Sequence, residues 1–125
     1  MPFPVAKGFI ADEYGVHPHP VLRGVMMNNN GIDIQTSPGA QVFSVFKGIV
    51  QSVVSIPGVN MVVAIQHGDY FTVYSKLKSV SVKKGDKVGT SDLIGTAGTE
   101  EDGTGQINFQ VWKNTDHLNP EYWLK

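Results

Sequence analysis

The sequence predicts a mostly β domain made of one antiparallel sheet with short hairpins and one short C-terminal helix. In seven short runs, apolar and polar residues alternate with period two and β-branched and aromatic residues are enriched, which is the pattern of half-buried strands. Turn-forming residues separate the runs. The predicted strands are 31–36, 41–46, 48–56, 60–67, 70–76, 87–97 and 106–112.

The connections between these strands are short and rich in glycine, proline and aspartate. They include Ser37-Pro38-Gly39, Pro57-Gly58, Gly68-Asp69 and Lys84-Gly85-Asp86. Because short turns join strands that lie side by side, we expect antiparallel meanders.

The helix signal is confined to the C-terminus. Asn119 is suited to the N-cap and Pro120 to the first helical position. We expect this single turn to close the core with Trp123 and Leu124.

Length and charge restrict the possible functions. The 125 residues are enough for one domain, 1–125, with a substantial core. Ten basic and eleven acidic residues argue against nucleic acid as the main partner, because phosphate binding requires a strongly basic face. The longest apolar run, 61–65, is far shorter than the ~20 residues of a membrane-spanning helix, so we predict no membrane insertion.

Other features of the sequence give less information about compartment and function. The absence of cysteine fits either the cytosol or an envelope compartment. The start Met-Pro-Phe-Pro without a targeting region is compatible with a fragment of a longer protein. Half of the basic residues cluster in one region: Lys76, Lys78, Lys83, Lys84 and Lys87. Apart from Lys76, we interpret them as part of a solvated hairpin.

The run 106–112 has one apolar and one polar face. Ile107, Phe109 and Val111 point one way, whereas Gln106, Asn108 and Gln110 point the other. If 70–76 is a neighbouring strand, one of its sides joins this polar face, the side carrying Tyr70, Thr72, Tyr74 and Lys76. Alternation alone favours an ordinary solvated strand face.

Histidine placement argues against a local metal site. Zinc sites are built from imidazole, thiolate and carboxylate groups, and a catalytic zinc usually has three protein ligands and one open position. The four histidines are His17, His19, His67 and His117, and only the first two are close in sequence. Each of those two precedes a proline, which favours extended backbone, so we interpret the pair as structural or surface residues.

Three segments resemble the site segments of the lysostaphin/LytM-type zinc peptidases. They are Asn28-Asn29-Asn30-Gly31-Ile32-Asp33-Ile34, Tyr74-Ser75-Lys76-Leu77 and Gly105-Gln106-Ile107-Asn108-Phe109-Gln110. In that family the segments read His-x-Gly-x-Asp, Tyr-x-His-Leu and His-x-His-Phe. The resemblance therefore places vestigial metal-ligand positions at Asn29, Asp33 and Asn108, and degenerate catalytic positions at Lys76 and Gln106.

The resemblance extends from residue 9 to residue 124 as an ordered series of motifs, with His17 where arginine is usual. They include Tyr14-Gly15-Val16-His17-Pro18-His19-Pro20-Val21, Pro38-Gly39-Ala40-Gln41-Val42, Gly48-Ile49-Val50, His67-Gly68, Val82-Lys83-Lys84-Gly85-Asp86-Lys87-Val88 and Ile94-Gly95. It implies the LytM/duplicated-hybrid-motif architecture. Together with the degenerate site, three segments most resemble the C-terminal domains of EnvC-like murein hydrolase activators: 17–22, 109–113 and 118–124.

That branch implies a regulator without catalytic activity, metal or other cofactor. Its expected partner is a zinc-dependent N-acetylmuramoyl-L-alanine amidase that splits septal peptidoglycan in the periplasm, with peptidoglycan itself as a possible further ligand. The vacated catalytic groove would be the docking surface, formed by His19, Asn29, Asp33, Tyr74, Lys76, Gln106 and Asn108. We further expect Lys76 to lie near Asp33, because an ammonium group offsets the cost of an unpaired carboxylate.

Two alternatives belong to other functional classes. A zinc metalloendopeptidase that cleaves peptidoglycan peptides would follow the family's usual chemistry, but amides are weak zinc ligands and lysine is protonated near neutral pH. A carrier or phosphotransfer module would require a lysine presented at a hairpin tip or two facing histidines, and the sequence shows neither constellation.

Overall fold

The computed structural model describes residues 2–18, 24 and 26–124. In this part of the chain twelve strands and one short 3-10 helix are formed. The strands are β1 (Phe9–Asp12), β2 (Gly15–Pro18), β3 (Met26–Asn29), β4 (Ile32–Thr36), β5 (Gln41–Phe43), β6 (Gly48–Ile56), β7 (Asn60–His67), β8 (Tyr70–Val80), β9 (Lys87–Val88), β10 (Leu93–Thr99), β11 (Gly105–Lys113) and β12 (Asp116–Leu118).

Ten of these strands form one antiparallel sheet, and β2 and β3 form a separate hairpin. The main sheet runs in the order β1-β4-β11-β10-β8-β7-β6-β9, with β12 beside β11 and β5 beside β10. Strands β6, β7 and β8 form the expected meander. Strand β11 pairs with β4 on one side and with β8 on the other, although both are distant from it in the sequence. This pairing brings together the three segments that resemble the zinc-peptidase site.

The core lies on one face of this sheet. Ile107, Phe109 and Val111 of β11 are fully buried, as the alternation predicted, and so are Ile32 and Ile34 of β4. The predicted mostly β, antiparallel fold is confirmed.

The C-terminal turn is a 3-10 helix, Pro120–Tyr122, and not an α-helix. The Asn119 side chain caps it by accepting a hydrogen bond from the Glu121 amide, as predicted. Trp123 and Leu124 pack against the core.

The predicted strands 48–56 and 60–67 match β6 and β7, but the predicted strand 87–97 is wrong. Gly89–Asp92 form a turn closed by the Asp92 carboxylate, which accepts a hydrogen bond from the Gly89 amide at 2.7 Å. This turn divides the run into β9 and β10. No described helix has the length and apolar character needed to cross a membrane.

Candidate functional site

The register of three strands builds the polar face. Asp33 of β4 is the direct partner of Asn108 of β11, and Asn108 is paired on its other side with Ser75 of β8. Directly opposed residues in antiparallel strands point to the same face. The sheet therefore brings the Asp33 carboxylate and the Asn108 amide together.

Asn108 is the centre of a hydrogen-bond network. Its amide nitrogen donates to Asn29 Oδ1 at 3.2 Å and to Asp33 Oδ1 at 2.9 Å. Its amide oxygen accepts from Gln110 Nε2 at 2.9 Å, and the Gln110 oxygen accepts from Trp112 Nε1 at 2.8 Å. The three side chains of this β11 row, Asn108, Gln110 and Trp112, thus bond to one another and to Asn29 and Asp33.

Asn29 connects this network to the N-terminal strands. Its oxygen also accepts from the Gly31 amide at 3.1 Å, and its nitrogen donates to Asp12 Oδ2 at 3.1 Å. Asn29 is 9% exposed, so losing these bonds would leave a buried amide without partners. The side chains of Asp12, Asn29, Asp33 and Asn108 therefore join strands β1, β3, β4 and β11.

Lys76 enters the site through a bulge in β8. Tyr74 pairs with Val63 and Leu77 with Met61, so two residues of β8 lie opposite one residue of β7. Lys76 has a φ of 64°, a left-handed conformation that interrupts the alternation of β8. The bulge coincides with the point where the partner of β8 changes from β11 to β10.

The ammonium group of Lys76 is shared between two carboxylates. Its nitrogen is 3.8 Å from Asp33 Oδ1, in agreement with the expected proximity, and 3.3 Å from Glu100 Oε1. The Lys76, Asp33 and Glu100 side chains are 34%, 17% and 39% exposed. At this exposure the contribution of each pair to stability is small, so the arrangement sets the charge pattern of the polar face more than the stability of the fold.

The prediction that Tyr74 lines the polar face is wrong. Tyr74 pairs with Phe109 on the core face and is fully buried, with the ring centroids 5.2 Å apart. Its hydroxyl oxygen accepts from the Val45 amide at 3.1 Å, and burial raises its pKa above 10.0. Thr72, predicted on the same side, is buried with it. Period two showed which residues share a side but not which side faces the core.

The remaining predicted site residues lie apart from the network or outside the described part. Gln106 is half-buried and lines a small polar cleft of about 160 Å³ together with Lys76, Glu100 and Asn60. His19 lies outside the described residues. Asp12 and Glu100 could not be predicted as site residues, because no local spacing in the sequence connects them to the site. The alternation of β11 could have indicated Trp112.

The side chains at the three ligand positions do not fit zinc. One is a carboxylate and two are neutral amides, and the Asn108 nitrogen points at Asn29 and Asp33. A metal at this point would face an N–H donor. Among the described residues no group of three or more His, Cys, Asp and Glu side chains is placed to hold a metal ion.

A family model supplies the first comparison with known proteins. The model described as peptidase family M23 matches residues 27–120. Among individual relatives, stage II sporulation protein Q of Bacillus subtilis is 33% identical over 98 residues, covering 74% of this chain and 35% of that protein. The chain spans only 16 to 35% of the length of the first curated relatives it matches.

Solved structures show the same fold. The SpoIIQ-SpoIIIAH pore forming complex contains a chain similar to this one with a TM-score of 0.84 and 23% identity, covering 99% of this chain and 90% of that chain. A zinc containing peptidase from Vibrio cholerae gives a TM-score of 0.80 at 30% identity, covering 93% of this chain and 37% of that chain.

Proposed function

The chain belongs to peptidase family M23, and from that premise we propose that it is a non-catalytic activator of a cell-wall N-acetylmuramoyl-L-alanine amidase. In this proposal the groove around Asp33, Lys76 and Asn108 binds the amidase in the cell envelope, during the splitting of septal peptidoglycan. The observation that carries the proposal is the interlocked network at the ligand positions. It occupies the positions that the resemblance assigns to metal ligands, and its amide donors bond to acceptors within the network.

Such a groove is suited to binding a protein. The network holds the side chains in place before a partner arrives, which lowers the entropic cost of association. An activator shifts its target towards the active form only as far as it binds that form more tightly. A rigid groove that carries an amide row, carboxylates and an ammonium group can provide such selectivity through charge and shape.

The similarity to a chain of the SpoIIQ-SpoIIIAH complex supports protein binding in general. That complex is formed between two proteins, and one of them has this fold. The identity of the partner as an amidase rests on the resemblance of the sequence motifs.

The experiment is a dye-release assay with labelled sacculi, an amidase from the same cell and this domain. We expect the mixture to solubilise the sacculi and each protein alone to leave them intact. Lys76→Glu and Asp33→Lys should each weaken stimulation by ~1–3 kcal/mol of binding free energy, because these charges lie in the groove.

Lys83→Glu and Lys84→Glu provide matched charge changes on an exposed turn between β8 and β9 and should keep stimulation, because remote exposed charges contribute little. Loss of stimulation in these controls, with full stimulation in the groove variants, would show that the amidase docks elsewhere. If no amidase of the cell responds, the activator proposal is wrong.

A zinc endopeptidase is the second candidate, supported by the 30% identity to a zinc containing peptidase. The assay with the domain alone and added zinc distinguishes the two. Release of dye that disappears in Asp33→Ala would establish the enzyme and exclude the non-catalytic proposal.

A further inference from the structure

A second concave surface lies away from the candidate site, where β7 ends and β8 begins. It is a trough of about 530 Å³ whose apolar lining comes from Phe46, Ile49 and Val88. A smaller hollow of about 340 Å³ continues it past Phe46 and His67 to Tyr70 and Trp123. Phe46 and Ile49 are 43% and 49% exposed, which is unusual for such large apolar side chains in one place.

The trough is far from the groove around Lys76. Lys76 follows Tyr70 by six positions along β8, which corresponds to roughly 20 Å of extended strand. The two surfaces can therefore contact different partners or different parts of one partner.

The charge on the rim of the trough has one sign. Lys47 and Lys87 line it, and none of its lining residues is an aspartate or glutamate. The chain as a whole carries a net charge of −1, so this positive surface is a local feature. Apolar walls with ammonium groups at the rim complement a ligand that is both apolar and anionic.

The floor of the trough is held rigidly by His67. One ring nitrogen, Nδ1, is 2.7 Å from the Lys47 carbonyl oxygen, and the other, Nε2, is 2.8 Å from Thr72 Oγ1. Burial lowers the pKa of His67 below 6.5, so the positive charge here at neutral pH comes from the lysines. A Cβ at Gly48 would collide with the Gln66 carbonyl oxygen, so glycine is needed for this close approach.

We propose that this trough docks an extended segment of a protein partner with apolar side chains at alternate positions and carboxylates between them. Alternate side chains of a strand lie about 7 Å apart on one side. The rings of Phe46 and His67, with centroids 6.0 Å apart, line both the trough and the smaller hollow. In the proposed complex one apolar side chain of the partner enters the trough and the next enters the hollow. The concave shape favours a peptide over a membrane surface.

The test is an NMR titration of the ¹⁵N-labelled domain with two synthetic peptides. One is acetyl-Glu-Leu-Glu-Val-Glu-amide and the other has lysine in place of each glutamate. We expect the acidic peptide to shift the amide signals of residues 46–49, 67 and 88, and to bind at least about tenfold more tightly than the basic one. The double variant Lys47→Glu/Lys87→Glu should reverse that preference while keeping a dispersed, folded spectrum.

Lys83→Glu/Lys84→Glu makes the same change in net charge outside the trough and should bind like the original protein. The proposal is overturned if neither peptide shifts these signals, if both bind equally, or if the control loses binding as the double variant does. It is also overturned if phosphatidylglycerol vesicles, and not the acidic peptide, perturb the same amides. These results are independent of amidase stimulation, because the groove around Lys76 is unchanged in every variant.

Discussion

Replacing Asn108 by alanine tests whether the amide network stabilises the fold. The change removes three side-chain hydrogen bonds, two donated to Asn29 and Asp33 and one accepted from Gln110. A net value of about 1 kcal/mol for each bond, and somewhat more for the bond to the carboxylate, gives a loss of about 3 kcal/mol in the free energy of unfolding. That loss is a large fraction of the ~5–15 kcal/mol stability of a typical domain.

Urea denaturation followed by tryptophan fluorescence measures this loss. Gln106→Ala is the matched control, since Gln106 is half-buried on the same strand face but its side chain makes no hydrogen bond within the described residues. We expect this variant to change the free energy of unfolding by less than about 0.5 kcal/mol. Asn108→Asp keeps the shape but puts an oxygen in place of the nitrogen that lies 2.9 Å from Asp33 Oδ1. At neutral pH it should destabilise at least as much as alanine, because two carboxylates then face each other.

Two results would refute this reasoning. A loss below about 0.5 kcal/mol in Asn108→Ala would mean that water replaces the network at no cost. An equal loss in Gln106→Ala would mean that the strand face, and not the network, determines stability.

Three further predictions concern other positions. Gly31→Ala should destabilise by about 1–3 kcal/mol in urea denaturation because its Cβ would press on a carbonyl oxygen of β11, whereas Gly89→Ala, with its nearest neighbour at 3.5 Å, should be almost neutral. Tyr74→Phe should cost about 1–2 kcal/mol by the same measurement, since the buried Val45 amide loses its acceptor, yet it should leave amidase stimulation intact; a selective loss of stimulation would return Tyr74 to the groove. Stability should fall as the pH drops below 6.5, because His67 binds a proton there in the unfolded chain but, with its lowered pKa, not in the folded protein. The free energy of unfolding, measured with urea at pH 7.5 and 5.5, should differ less between the two pH values in His67→Gln than in the original protein.

Much of the fold could be predicted from the sequence because its signals are local. The alternation in β11 identified which side chains are buried, and the turns at 57–58 and 68–69 identified the β6, β7 and β8 meander. The N-cap role of Asn119 depends only on residues next to it in the chain. The turn at Gly89–Asp92 was missed because it interrupts a run with strand-like composition.

The sequence by itself determined that the ligand positions carry two amides and one carboxylate and that a catalytic position carries a lysine, since side-chain chemistry does not depend on the fold. Only the tertiary structure decided what those groups do. The pairing of β11 between β4 and β8 placed Asn108 between Asn29 and Asp33, and the bulge in β8 turned Lys76 towards the carboxylates while Tyr74 stayed in the core. These outcomes depend on contacts between distant segments, whose register follows from the packing of the whole sheet and not from local periodicity.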